Sequence, residues 1–345
     1  MLDFISSAYL GLRHPGTSLG AWTTLTTARP AALGGALLAD AAARQVAALQ
    51  GREYGLSGPS TLHLAVDVIT ATLPQGAEVH WDAHLYPVLR CAIQLTSRGQ
   101  CLPAHDASAL IRELAGGGKA SPVMVTDGYC VECGRSAPLS AYLAALQPRG
   151  GILIVDDTQA VGLFGAPGAG PFGDGGGGSP RAHSIGTAAP MIVLASLGKA
   201  FGVPMAVVSG PARLLEPLRE GGFSRQHCSP PSIPAARAAL RAVHANAADG
   251  ALRRERLSQS LRRFRARCRQ FDVPVYYAFH PVQSVCLSRT DDPLSLARAA
   301  RVSGLALAPC RGLGGKPLLR LVVTAQHLPE EVDEAVAILG RLFAG

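Results

Sequence analysis

Met191 to Gly202 reads MIVLASLGKAFG, and the way this stretch divides decides the fold. Met191 to Ala195 is a short, continuous apolar run, the pattern of a strand buried on both faces. Ser196-Leu197-Gly198-Lys199 then turns out of the strand, with small residues on both sides of a lysine amine. Lysine is rare in this chain: Lys119, Lys199 and Lys316 are the only three among 32 basic residues. Lys119 and Lys316 sit in Gly-rich loops, GGGKAS and LGGKPL, with no strand before them. Partial burial of Lys199 beside other positive charge lowers its pKa and makes it a nucleophile toward an aldehyde. Taken alone, it reads equally well as a solvated loop lysine.

Upstream, Gly151 to Gly165 reads GILIVDDTQAVGLFG. Ile152 to Val155 is a second buried strand, with Asp156 and Asp157 at its carboxyl end, where open parallel sheets bind ligands. An Asp pair after a strand is otherwise a helix cap or a metal ligand. Its pairing with a lysine after a later strand suits pyridoxal phosphate: the carboxylate keeps the pyridine nitrogen protonated and the amine holds the aldehyde carbon.

The ordered run of YLGL (Tyr9–Leu12), SGPST (Ser57–Thr61), DG-x5-G-x2-APL (Asp127–Leu139), VDDTQAVGLFG, SLGKAFG and LLRLVVTAQH (Leu318–His327) resembles the α-oxoamine synthases across nearly the whole chain. That resemblance implies a fold type I pyridoxal phosphate enzyme of α/β class. Its expected architecture is a central, mostly parallel seven-stranded sheet with helices on both faces, plus a smaller α+β C-terminal domain. The expected division is an N-terminal arm over 1–45, a coenzyme domain over 46–225 and a small domain over 226–345. The implied reaction condenses an amino acid with an acyl thioester, on coenzyme A or an acyl carrier protein, with decarboxylation to an α-aminoketone. The same scaffold also runs transamination, aldol cleavage and decarboxylation.

Residue by residue, the resemblance assigns Lys199, Asp156 and His84 to the chemistry, with His84 stacked on the coenzyme ring and Thr158 on the opposite face. His80 and Trp81 compete for the place of His84. Ser57, Gly58 and Pro59 match the turn that cradles the phosphate at a helix start; Pro59 has no N–H to give. Asp127 and Ser196 fall near the coenzyme. Gln159 stands where relatives carry a His, and its amide can donate a hydrogen bond but cannot titrate. Ser229, in QHCSPP, keeps the hydroxyl that crosses a homodimer interface to the neighbour's phosphate. Arg320 matches the arginine that holds the substrate carboxylate, with Tyr9 and Arg29 on the substrate side. Ala8 removes an amide that relatives place before the Tyr.

At 345 residues, 48% hydrophobic and 16% charged, the chain can bury a large core. It has no 18-residue apolar run, and MLDFISSAYL lacks the basic and apolar regions of a signal peptide, so a cytoplasmic place is expected. There the eight cysteines are expected as free thiols. Cys130-Val-Glu-Cys133 is a lone C-x-x-C with no second pair and no His at ligand spacing, and no metal is assigned to it. The net charge of +8 is densest over Leu252 to Phe271, where Leu257, Leu261, Phe264 and Cys268 recur at helical spacing. The arginines therefore line the outer side of an amphipathic helix. Without an aromatic-interleaved basic groove, nucleic acid is not the expected partner. Arg262, Arg263 and Arg265 are instead candidates to attract a polyanionic acyl donor. Gly165 to Gly178, rich in glycine, reads as a flexible surface insertion or a lid.

Overall fold

The computed structural model describes residues 1–18, 25–73, 76–96, 99–118, 120–168, 170–276 and 278–343; Lys119 lies outside them. The chain parts into two compact units. The larger comprises 13–130 and 136–248, and the smaller 1–12, 131–135 and 249–345. Residues 226–248 thus group with the larger unit, whereas the sequence reading placed them in the small domain.

Seven strands make the sheet of the larger unit: β1 (Tyr54–Gly58), β2 (Glu78–Asp82), β3 (Gly99–Leu102), β4 (Pro122–Asp127), β5 (Ile152–Asp156), β6 (Met191–Ser196) and β7 (Ala206–Gly210). Their order is β1-β7-β6-β5-β4-β2-β3. Strands β2 to β6 are parallel neighbours, and β7 runs antiparallel between β1 and β6. Alternate residues of the central strands feed two separate cores. Val123, Val125, Ile152 and Ile154 pack on one face, against Leu64 and Leu89. Met124, Leu153, Val155 and Val193 pack on the other, against Leu139 and Tyr142. Because both faces are dry, these strands read as unbroken apolar runs. Each buried aliphatic side chain contributes roughly 1.5–3 kcal/mol.

Register sets the carboxyl ends of the central strands level: Asp127 pairs with Asp156, and Asp156 with Leu194. Asp127 and Asp156 therefore share one edge of the sheet, with Ser196 two residues beyond Leu194 on the next strand.

In the smaller unit, β8 (Val275–Tyr276), β9 (Val282–Cys286), β10 (Ala308–Arg311) and β11 (Pro317–Val322) form an antiparallel sheet in the order β8-β9-β11-β10. Its core includes Val285, Leu319, Leu321, Val332, Val336 and Leu339, all fully buried. Helix Pro329–Phe343 starts with the Glu331 carboxylate accepting from the Leu328 N–H at 2.8 Å, an acid at the positive helix end.

The arginine-rich stretch lies on helix Ile233–Gln270, with Leu257, Leu261, Phe264 and Cys268 fully buried as the periodicity requires. Its arginines are less open than expected. Arg263 donates two bonds to Asp333, at 2.8 and 2.7 Å, and Arg265 lies over the Phe279 ring, 5.1 Å from its centroid. Arg262 is exposed, 3.8 Å from Glu255. Part of the charge proposed to draw an acyl donor is thus neutralised at home.

The Gly-rich segment after Phe164 is also more ordered than its composition suggests. Ala166 and Asp174 exchange backbone hydrogen bonds at 3.0 and 2.8 Å, Gly165 N–H reaches Phe172 O at 2.9 Å, and Phe172 is buried beside Phe164. These pairings make it a closed turn with its own apolar anchor.

Candidate active site

The turn carrying Lys199 is pinned on both sides. Leu197 and Phe201 are buried, Leu197 N–H bonds Met205 O at 2.9 Å, and Val203 N–H returns to Leu197 O at 3.0 Å. Gly202 closes the turn at φ +65°, a conformation that glycine adopts without penalty. Opposite, Gly162 sits at φ +83°, where a Cβ would come within 2.5 Å of the Ala200 Cβ. The small residues of the signature are therefore steric requirements of the loop that presents the amine.

Burial lowers the pKa of Lys199, and the charge of Asp156 opposes that shift. Direction and burial both match the sequence reading; the positive charge expected beside the amine does not, since the charge acting on it is the Asp156 carboxylate. Asp156 is buried, and burial pushes its carboxyl pKa up, with the Thr158 hydrogen bonds and the charge of Lys199 pulling it back. Thr158 ties the two strands together: its N–H donates to Asp156 Oδ1 at 2.9 Å, and its Oγ1 accepts from Ser196 N–H at 2.9 Å. Ser196 in turn accepts from Gly198 N–H at 3.2 Å.

Asp157 works differently. It is wholly buried, accepts from Ser179 N–H at 3.0 Å and from Gln50 Nε2 at 3.3 Å, and Gln50 accepts from Ser209 Oγ at 2.7 Å. Burial raises its pKa to about 7. Of the Asp pair, then, Asp157 is bonded deep into the scaffold, and Asp156 is the one whose charge acts on the lysine. Gln159 is half-buried just beyond.

On the other side of β5, Asp127 accepts from Tyr86 N–H at 3.1 Å and so fixes the loop that carries His84. Of the three competing residues, His80 and Trp81 lie within β2, whereas His84 lies past its carboxyl end. His84 Nδ1 is 3.7 Å from Cys130 Sγ.

The Ser57-Gly58-Pro59 turn leads into helix Thr61–Asp67, and Ser57 has partners of its own. Ser57 is buried, and both its N–H and its Oγ donate to Asp40 Oδ1, at 2.9 and 2.7 Å. Arg225, also buried, completes the group with a 3.0 Å pair to Asp40. Ser57 is thus already satisfied, and Pro59 has no donor. The donors left for an anion are the first-turn amides of helix Thr61–Asp67, which lack intrahelical acceptors. Ser60 caps that helix by accepting from His63 N–H. Gly58 is sterically obligatory, since a Cβ there would meet Leu64 Cγ at 2.6 Å. Asp40 and Arg225 were not found from sequence, being 185 residues apart with no local motif.

Ser229 and Arg29 are exposed. In the smaller unit Tyr9 is fully buried, edge-on to His280 with ring centroids 5.5 Å apart, and is a core side chain, not an open substrate contact. Arg320 is paired with the Glu132 carboxylate of its own chain.

The donor set fits pyridoxal phosphate at its ring end. A buried carboxyl and a half-buried amine whose charges act on each other are an arrangement that a cationic ring nitrogen and an aldehyde would relieve. At the phosphate end the fit rests on helix amides.

A family described as aminotransferase class I and II matches residues 38–339. The 8-amino-7-oxononanoate synthase of Halorhodospira halophila is 30% identical over 339 residues, 95% of this chain and 80% of that protein. Serine palmitoyltransferase from S. paucimobilis, solved with a PLP–myriocin adduct, is similar in structure with a TM-score of 0.84 at 16% identity, over 99% of this chain and 87% of that one. The 8-amino-7-oxononanoate synthase of Francisella tularensis gives 0.77 at 17% identity, over 100% and 98%.

Proposed function

Since the chain belongs to the class I and II aminotransferase family and, within it, to the α-oxoamine synthases, we propose a role for each residue of the site. The protein is a pyridoxal phosphate-dependent acyltransferase that condenses an amino acid with an acyl thioester. The bound coenzyme supplies an aldehyde that captures amines and a ring that accepts electrons from the α-carbon.

Lys199 Nζ holds the aldehyde carbon at rest. Freed from it, the same nitrogen would be the base for the substrate's α-proton, a task helped by a pKa that burial has lowered. Asp156 keeps a proton on the ring nitrogen, and that positive charge offsets the cost of burying the carboxylate. Gln159 donates to the phenolic oxygen, and His84 and Thr158 bound the two ring faces. Asp127 holds the His84 loop, and Ser196 holds Thr158. Gly58 and the helix start bind phosphate, joined by Ser229 of a second copy in a cytoplasmic homodimer. Arg320 takes the substrate carboxylate in a bidentate fork and releases Glu132 as it does so; Arg29 stands at the substrate mouth.

The carrying observation is the mutual action of Asp156 and Lys199, on neighbouring strands of one sheet edge. The test supplies an amino acid and an acyl-coenzyme A together and separately. Free coenzyme A released only with both substrates supports condensation. Conversion of the coenzyme to its amine form by amino acid alone marks a transaminase instead.

A further inference from the structure

The loops after β2, β3 and β4, three adjacent strands, bring His84, His105 and Cys130 together at the carboxyl edge of the sheet. One ligand-capable atom from each lies within 4.8 Å of the others. We propose that these three side chains form a binding site for a divalent metal ion of zinc type.

The geometry suits that ion. A tetrahedral zinc with Zn–N of about 2.0 Å and Zn–S of about 2.3 Å sets its N and S ligands about 3.5 Å apart. His84 Nδ1 and Cys130 Sγ are 3.7 Å apart. Two imidazoles and a thiolate are the donor types zinc prefers.

A second feature is the support around His105. Its Nδ1 lies 3.4 Å from Asp82 Oδ2, and its backbone N–H donates to Asp82 Oδ1 at 3.1 Å. Asp82 is buried and is itself held by Tyr142 OH at 2.7 Å and by the Thr126 hydroxyl. A carboxylate behind a histidine fixes ring orientation and raises ligand basicity, the usual outer support of a metal-bound imidazole. The backbone of His105 is left-handed, φ +57°, a strained state for a non-glycine residue that persists where surrounding contacts enforce it. Here the enforcing contact is Asp82.

The C-x-x-C motif gave no histidine at ligand spacing, because both histidines come from other strand ends and only the sheet order brings them to Cys130. Binding releases the Cys130 thiol proton to solvent, so affinity rises with pH. Ligation uses the in-plane lone pair of His84 Nδ1 and leaves the faces of that ring available, so the inference stands apart from the coenzyme reading.

The test titrates chelator-stripped holoenzyme with zinc against a chromophoric chelator. Cobalt serves as a second probe, read through its d–d bands at wavelengths where the coenzyme is transparent. The expected result is one zinc per chain. Cys130→Ser and His105→Gln should each weaken binding at least about tenfold, and Asp82→Asn by about 10–100-fold. Cys91→Ser, at an exposed thiol elsewhere, should leave the affinity unchanged. Circular dichroism checks folding; should Cys130→Ser unfold, His105→Gln decides. Absence of a stoichiometric zinc, or equal affinity in the folded variants, overturns the proposal.

Discussion

The residues matched to the family's contacts with the coenzyme ring and those matched to its substrate and phosphate contacts differ in how their polar groups are satisfied. At the ring end, Asp156 and Lys199 act on each other across neighbouring strands, and burial pushes each toward its neutral form. The residues matched to substrate and phosphate contacts are instead bonded inside the chain: Ser57 to Asp40 and Arg320 to Glu132, with Tyr9 fully buried. The first pair is poised for a ligand; the second set must exchange a partner to take one.

The comparison breaks most sharply at Asp156. Asp156→Asn keeps the shape and the Thr158 bond but removes the charge that holds a ring proton. The expected loss in kcat is about 10²–10³-fold, with far-UV circular dichroism unchanged. A variant with near-normal kcat would return Asp156 to the status of a scaffold carboxylate like Asp157.

A smaller effect sharpens the other side. Glu132→Gln frees Arg320 from a partly exposed pair worth about 1 kcal/mol, so KM for the amino acid should fall about fivefold, with little change in kcat. A rise in KM would mean that Glu132 positions Arg320 and does not compete with the substrate.

The neighbouring carboxylate gives a third effect, read in stability and not in turnover. Asp157 has a folded pKa of about 7 against 3.8 for the free group, so the folded chain binds the extra proton between those values. Stability is then fullest below the lower value and falls as pH rises through the window, by at most about 1.4 kcal/mol per pH unit. Asp157→Asn should flatten that slope in urea midpoints measured across the window. An unchanged slope would place the titration elsewhere.

The legible parts of this protein are those with a local cause. Ile152–Val155 and Met191–Ala195 announced buried strands because a parallel sheet dries both faces, and the lysine and Asp156 fell at their carboxyl ends by chain adjacency alone. The illegible parts are pairings across long separations. Nothing local to Ser57 or Arg320 tells of Asp40 or Glu132, and the C-x-x-C gave no hint that His84 and His105 would meet Cys130. After Phe164 composition suggests a loose loop, whereas backbone hydrogen bonds of Gly165 to Phe172 and of Ala166 with Asp174, and the buried Phe172, close the described part of it.

Everything at the ring end depends on a covalent bond to one amine. The protein is supplied with pyridoxal phosphate, reduced with borohydride, digested and mapped by mass spectrometry. A reduced coenzyme adduct on the peptide containing Lys199, and its absence from Lys199→Ala, is the result this account predicts. A protein that stays colourless and carries no adduct, or carries it on Lys119 or Lys316, would contradict it.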